Sequence, residues 1–311
     1  MHSTPETVRC ALCGSERQEK VISGRDQLTG LPGTFQFVRC PECGLVWQNP
    51  RPIPSALDAY YPQDYPSFAL SAASRKHVVR RAAYRYGQLK RVRIVSRFCH
   101  MGRLLDVGCG AGDFLFEMGR VRGWRTLGVE PNRHACNYAR RVLGVDVICG
   151  TLSGAALAST AFDVVTMWNT LEHVYDPRRN LDQARRVLRP GGFLILSVPV
   201  ISSLLGQWFG PYWAEWDLPR HLYIFSQETI GRFLGETGFH LTAVTSLFSE
   251  YRVLRMSLEN WAGEHVSSDK VRGASRALLR SLPVQFMGAF LLRLGIPVQR
   301  NSVLVFVGQK E

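Results

Sequence analysis

The 311-residue chain has no run of about 20 uninterrupted apolar residues, the length needed to cross a bilayer as a helix. Met1–Arg9 lacks the basic-then-apolar order of a secretory signal. Acidic residues are scarce beside basic ones, 25 Asp and Glu against 38 Lys and Arg, which leaves a formal charge of +13. The first two absences argue against an integral helical membrane protein and a secreted one. They predict a cytoplasmic protein, with a peripheral place on the inner membrane face as the alternative. In that compartment the eight cysteines are expected to be reduced. The charge imbalance points to an anionic partner, whether nucleic acid, a phosphorylated small molecule or an acidic membrane surface, or simply to a solvated basic surface. What the chain does have is length for about two domains and a 46% hydrophobic content, ample for a core.

Two C-x-x-C pairs, Cys10-Ala-Leu-Cys13 and Cys40-Pro-Glu-Cys43, stand 26 residues apart, and Gly14 and Gly44 follow the second thiol of each. That spacing lets two knuckles present four thiolates tetrahedrally to zinc. Lys20–Ser23, Phe35–Arg39 and Leu45–Gln48 read as short strands, so residues 1–50 are predicted to be a zinc ribbon. Neither pair opens a helix after a buried strand, which argues against a redox pair. A four-thiolate site has no open position, so the Zn2+ is structural. Cys99, Cys109, Cys136 and Cys149 are scattered singly and are not expected to bind metal.

Residues 51–100 read as a connector and a leading helix. Pro50–Pro66 is proline- and tyrosine-rich, with one short helix near Ser55–Tyr60. Ser74–Phe98 is predicted helical and carries nine Lys or Arg between Arg75 and Arg97. Its basic face suits RNA or anionic lipid, or is a solvated face on a helix that leads into the next domain; the second reading is preferred.

The chain is organised around Arg103–Phe114. Leu104–Val107 reads as a buried strand, and Gly108, Gly110 and Gly112 as a tight turn feeding a helix from about Asp113. Such a turn before a helix N-terminus suits a nucleotide. Glu130 ends a second strand, 24 positions after Asp106, where a carboxylate can take both ribose hydroxyls of an adenosine. Strands then alternate with helices: Val145–Ile148, Phe162–Trp168, Phe193–Val198, Leu241–Ser246 and Val303–Val307 are the expected later strands. Arg189–Gly192 is expected to turn the chain into the fifth. This alternation argues for a parallel sheet with helices on both faces.

The glycine spacing G-x-G-x-G after Asp106 resembles motif I of the class I S-adenosylmethionine (SAM) dependent methyltransferases. Phe162–Trp168 with Leu171-Glu172-His173-Val174, and Leu188–Leu196, resemble the family's fourth and fifth strand regions. The resemblance covers roughly residues 97–309. The ribbon ahead of it resembles a bacterial subset associated with sugar, polysaccharide or envelope pathways, distantly similar to quinone O-methyltransferases. It implies an α/β Rossmann-like seven-stranded methyltransferase sheet with helices on both faces over residues 101–311, preceded by the small zinc ribbon. It also implies SAM as cofactor. Gly108 and Gly110 would line the methionine part, with Gly112 completing the turn. Asp106 would act near the SAM amine, Glu130 would hold the ribose and Asn132 would edge the adenine. Trp168 and Asn169 would border the cofactor. Many relatives carry an acid after the third strand; here Gly150-Thr151-Leu152-Ser153 stands there, so main-chain groups of Thr151 and Leu152 are the expected substitutes.

The acceptor is expected to meet the loops beyond the strand ends, chiefly residues 199–225, where Trp208–Trp216 is aromatic enough to close over it. His221 and His173 are the candidate proton acceptors; each also has a structural reading, a buried hydrogen bond, preferred for His173. The predicted function is methyl transfer to a small-molecule, sugar or lipid-linked acceptor, most readily at oxygen. A nucleic-acid methyltransferase using the ribbon and basic helix is the alternative, weakened because no Asn/Asp-Pro-Pro-aromatic run follows strand four and no cysteine nucleophile stands there. A non-catalytic SAM-binding protein is the second alternative. Residues 250–300 are a helical insertion. Within it Arg272–Pro297 is apolar, punctuated by arginines and broken by Pro283: a core element, a homodimer interface, or a segment lying on a membrane.

Overall fold

The computed structural model describes residues 5–61, 78–247 and 250–311. The connector's Pro62–Pro66 and the leading helix's first residues, Ser74–His77, lie outside them. The strands, in chain order, are β1 Glu19–Gly24, β2 Phe35–Arg39, β3 Val46–Gln48, β4 Gly102–Val107, β5 Trp124–Glu130, β6 Val147–Cys149, β7 Phe162–Trp168, β8 Leu188–Pro199, β9 Tyr223–Ile224, β10 Phe239–Thr245 and β11 Val303–Lys310. They form a four-stranded sheet, β1-β2-β3-β9, and a seven-stranded one, β10-β11-β8-β7-β4-β5-β6. The chain divides into two compact units.

One unit, Tyr61–Ser197 with Gly231–Ala243 and Phe306–Glu311, holds the seven-stranded sheet. β4 pairs in parallel with β5 and β7, β5 with β6, and β7 with β8. The strands are short apolar runs rather than alternating ones, as a sheet covered on both faces requires; Leu104, Leu105, Val164 and Val165 are fully buried. The helix Pro177–Val187 starts as its sequence dictates. Asp176 accepts the Arg179 N–H at 2.9 Å with Pro177 in the first turn, and Leu181, Ala184 and Val187 turn inward. The helix Arg133–Tyr138 continues through a wider turn, Ala139–Leu143, and stops at Gly144 with φ 67°. One expectation is corrected. Arg189–Gly192 does not precede the fifth strand but lies within it: Phe162 pairs with Leu188 and Val164 with Phe193. The extra residues form a bulge, with Gly191 at φ 73°.

The other unit, Met1–Tyr60 with Val198–Ile230 and Val244–Val305, is assembled from three stretches of chain. The antiparallel ribbon β1-β2-β3 gains a fourth strand from far along the sequence, Val46 pairing with Ile224 and Trp47 with Tyr223. Its core joins Phe37 and Val46 of the ribbon to Leu205, Trp213, Trp216, Leu218 and Ile224 and to Val253 and Ile296. The Phe37 and Trp216 rings lie 5.1 Å apart, and Trp213 and Trp216 meet edge to face at 5.5 Å. The expectation that this aromatic stretch closes over an acceptor is therefore corrected for Trp213 and Trp216, which are buried core residues, while Trp208 is 66% exposed. Helices Glu250–His265, Asp269–Leu279 and Leu282–Gly295 follow. Pro283 stands in the first turn of the last, where its missing N–H costs nothing. Glu250 is buried and accepts both the N–H and the hydroxyl of Ser302, at 2.8 and 2.9 Å. Burial nevertheless pushes its carboxyl up to about 7.

Candidate active site and cysteine cluster

The glycine turn after β4 is shaped by what each glycine meets. Gly108, Gly110 and Gly112 have φ of 70°, 55° and 84°, a region that disfavours other residues. A Cβ on Gly108 would stand 2.6 Å from the Thr170 hydroxyl, and one on Gly112 would stand 2.8 Å from Val145. Those two glycines serve close packing. Gly110 has nothing within 4 Å of its Cβ position, so it presents bare backbone to open space where a ligand can approach. Gly108 and Cys109 donate to the Val129 carbonyl at 2.8 and 3.2 Å, which fastens the turn to β5.

Glu130, at the end of β5, is 5% exposed. Its carboxylate accepts the Gly110 N–H at 2.9 Å and the Asn132 N–H at 2.8 Å. Burial raises its pKa and those two N–H groups draw it back. The carboxylate is thereby held beside the open glycine. Asp106 is buried one strand away, accepting the Thr166 hydroxyl at 2.7 Å. Burial pushes its carboxyl up to about 7; the Thr166 hydrogen bond and the Arg91 charge oppose that, and Glu130 adds to it.

The remaining cofactor candidates rim this turn in different ways. The Asn132 side chain caps the helix Arg133–Tyr138 by accepting the Ala135 N–H at 3.0 Å. Thr151 is exposed and Leu152 buried, in a turn where the Thr151 carbonyl accepts the Gly154 and Ala155 N–H groups. Trp168 sits with Phe114 edge-on at 5.5 Å and the Arg91 guanidinium over its ring at 5.3 Å. Asn169 takes a left-handed backbone, φ 53°, fixed by its N–H donating to Ser197 and by the Ser197 hydroxyl donating to its side chain at 3.1 Å. Thr170, whose hydroxyl donates to the Val107 carbonyl at 3.0 Å, carries the loop on to His173. His173 is half-buried, and its Nδ1 lies 3.0 Å from the Tyr61 hydroxyl.

His221 belongs to the ribbon-bearing unit. It is buried, with Nδ1 2.7 Å from the Glu215 carbonyl and Nε2 3.9 Å from Asp217. A carbonyl only accepts, so Nδ1 carries a proton and Nε2 is the basic nitrogen of the neutral ring. Beside it Arg220 is fully buried on Asp26 and Asp217.

The four knuckle cysteines converge. Cys10, Cys13, Cys40 and Cys43 bring their sulfurs within 4.8 Å of one another, with Cys10 to Cys43 at 3.4 Å and Cys13 to Cys40 at 3.5 Å. All four are free thiols. Four sulfurs at 2.3 Å from a tetrahedral zinc stand about 3.8 Å apart, so the donor set and spacing fit that ion. The Gly14 and Gly44 N–H groups donate to the Cys10 and Cys40 carbonyls at 2.8 and 2.9 Å, which closes each knuckle.

Several residues that shape these sites escape a reading of the sequence. Thr166 faces Asp106 because β4 and β7 pair those two residues; the available signal was a lone hydroxyl within an apolar strand. Arg91, Tyr61 and the Asp26–Arg220 pair act across long separations and carry no local signal.

An open glycine turn with a buried carboxylate at the end of the next strand, on this strand order, is the arrangement of class I SAM-dependent methyltransferases. The chain belongs to the methyltransferase-domain family, whose model matches residues 74–244. Among curated proteins it is 32% identical over 100 residues to the ubiquinone biosynthesis O-methyltransferase of Parvibaculum lavamentivorans, covering 30% of this chain and 39% of that one. It is 34% identical over 121 residues to the mitochondrial ubiquinone biosynthesis O-methyltransferase of Schizosaccharomyces pombe, covering 36% and 43%. The chain thus spans about two-fifths of the length of these relatives. A solved Thermotoga maritima SAM-dependent methyltransferase, described as a possible histamine N-methyltransferase, shares the fold with TM-score 0.50 at 24% identity, over 73% of this chain and 90% of that one.

Proposed function

We propose that the chain transfers the methyl group of SAM to a hydroxyl oxygen of a small-molecule, sugar or lipid-linked acceptor. The observation that carries the cofactor half of this reading is the Glu130 carboxylate, fixed by the Gly110 and Asn132 N–H groups beside the unobstructed face of Gly110. SAM supplies an already activated methyl, so the protein's work is alignment and exclusion of water. The oxygen preference is supported by the relatives named as O-methyltransferases. In this reading Asp106 faces the cofactor's amine, and His173, oriented through Nδ1 by Tyr61, takes the acceptor proton. The four thiolates of the ribbon hold one structural zinc. The test is a methyl-transfer assay with labelled SAM and a panel of catechols, hydroxybenzoates and sugar hydroxyls. Label should appear on oxygen with at least one acceptor class. Calorimetry that finds no SAM binding would overturn the reading; SAM binding without transfer to any of the panel would favour a SAM-binding protein that does not catalyse.

A further inference from the structure

The last helix of the insertion, Leu282–Gly295, leaves half its circumference uncovered. Leu282, Phe286, Met287, Phe290, Leu291 and Leu294 are 43–71% exposed. At about 100° per residue these six positions occupy one continuous half of the helix. The opposite side carries Leu292 against the core and Gly288 close against the Tyr251 ring. No residue of this helix or of its neighbour Asp269–Leu279 is fully buried; the segment reaches the core through Leu292 and Ile296. An exposed apolar face of this extent marks a binding surface.

The charge around the face says what covers it. From Lys270 to Arg300 the sequence holds six basic residues and no acidic one. Lys270 and Arg276 are exposed and form no ion pair among the described residues. Arg272 is paired with Asp269 and Arg280 with Glu259, but an apolar face that carries Arg293 and is preceded by the exposed cations Lys270 and Arg276 complements the surface of a bilayer containing anionic lipid, whose acyl boundary takes the apolar side chains and whose headgroups take the cations. A second copy of the chain meets the face less well, because two-fold pairing would set the same acid-free stretch against itself. Nucleic acid would answer the cations but leave the phenylalanines uncovered. The geometry also says how the segment lies. Among the described residues no single helix is long and apolar enough to cross a membrane, and Asp269–Leu279 with Leu282–Gly295 reach that length and apolarity only together, across a 68° bend. The 14 residues of Leu282–Gly295 reach about 21 Å, short of the roughly 30 Å hydrocarbon core.

We propose that Leu282–Gly295 docks the protein on an anionic membrane surface, lying in the interface plane with Phe286 and Phe290 inserted. The proposal is independent of the methyl-transfer reading and is tested without any acceptor. The full chain is centrifuged with vesicles of equal parts phosphatidylglycerol and phosphatidylcholine at low salt, and with phosphatidylcholine alone. The expected result is sedimentation with the anionic vesicles, weakened by added salt, and about tenfold less partitioning onto the neutral ones. The double variant Phe286→Glu/Phe290→Glu should stay in the supernatant while its thermal melt matches wild type, since both side chains are already exposed. Full-length protein that stays in the supernatant with anionic vesicles at low salt overturns the proposal. So does a double variant that sediments like wild type. Lipid-free sedimentation showing a dimer that the double variant abolishes would assign the face to a second copy instead.

Discussion

The Arg220 guanidinium lies flat on the Asp26 carboxylate, 194 positions away in sequence, with Nη2 2.7 Å from Oδ1 and Nη1 3.1 Å from Oδ2. Both side chains are completely buried. Asp217 takes two further bonds from the same guanidinium, at 2.7 and 3.0 Å. This paired fork ties the loop after β8 to the ribbon's β1–β2 turn and fixes the backbone next to His221. Asp26 is held below the usual carboxylate range: its burial alone would raise it, but bonds from Arg220 and Thr29 outweigh that.

Removing Asp26 leaves the buried Arg220 guanidinium with Asp217 as its remaining carboxylate partner. Asp26→Ala should therefore cost stability, but less than the ~3–5 kcal/mol of a fully unpaired buried charge, while the paired Asp26→Leu/Arg220→Met variant should recover a good part of it. Equal melting temperatures for Asp26→Ala and wild type would show that the pair does not hold the unit together.

Glu130→Ala should weaken SAM binding by about 1–3 kcal/mol, the cost of removing a charged hydrogen-bond acceptor. Titration calorimetry measures it directly, and an unchanged dissociation constant would remove Glu130 from the site.

Asp106 gives a pH signature. In the unfolded chain its carboxyl titrates near the usual ~3.9; in the fold, burial pushes it up to about 7. The folded state then binds an extra proton between those values, so stability from this group falls as pH rises from about 4 to 7 and stays lowered above. Asp106→Asn should consequently be more stable than wild type at pH 8 and lose that advantage by pH 4. If the ionised carboxylate meets the cofactor's amine, wild-type SAM affinity should climb with pH up to about 7, by as much as about tenfold per unit, and then level. The Asn variant should show a flat profile; a parallel slope in both proteins would place the titrating group elsewhere.

Purified protein should carry one zinc per chain, lost in Cys13→Ser and on prolonged chelation. Because the ribbon sheet is small, metal loss should lower the melting temperature of the ribbon-bearing unit. Elemental analysis after zinc-supplemented growth that finds substoichiometric metal would count against this assignment.

Tyr61→Phe should shift the pH–rate profile of methyl transfer if His173 takes the proton, because the phenol sets which imidazole nitrogen carries hydrogen. A lower rate with an unmoved profile would leave Tyr61 a packing residue only.

Local chemistry made much of this molecule readable from its sequence. The C-x-x-C knuckles, the ribbon strands, the Asp176-Pro177 helix start and the glycine turn with Glu130 all depend on residues a few positions apart or on one strand-to-strand step. What escaped depends on distant partners. No periodicity in Trp208–Trp216 tells an acceptor-facing loop from a core, because the partners that decide it, Phe37 and Val46, lie in the ribbon. Arg189-Pro-Gly-Gly has the composition of a turn, yet β7 pairs on both sides of it and makes it a bulge. The Leu282–Gly295 helix is as apolar as a buried one, and only the absence of neighbours along half of it, among the described residues, shows it to be a surface.

The fourth strand of the ribbon sheet has a consequence for how the protein is made. β3 and Arg51 emerge from the ribosome before their partner: Tyr223, which pairs with Trp47 and whose hydroxyl accepts from Arg51, follows 172 positions after Arg51. At about 5–20 residues per second the β3 edge and the apolar faces of Phe37 and Val46 wait roughly 10–30 s for their cover. The ribbon sheet is thus finished well after its own three strands have been made. During that interval an open strand edge is presented to every neighbouring nascent chain, and a holding chaperone has a defined target in Phe35–Gln48.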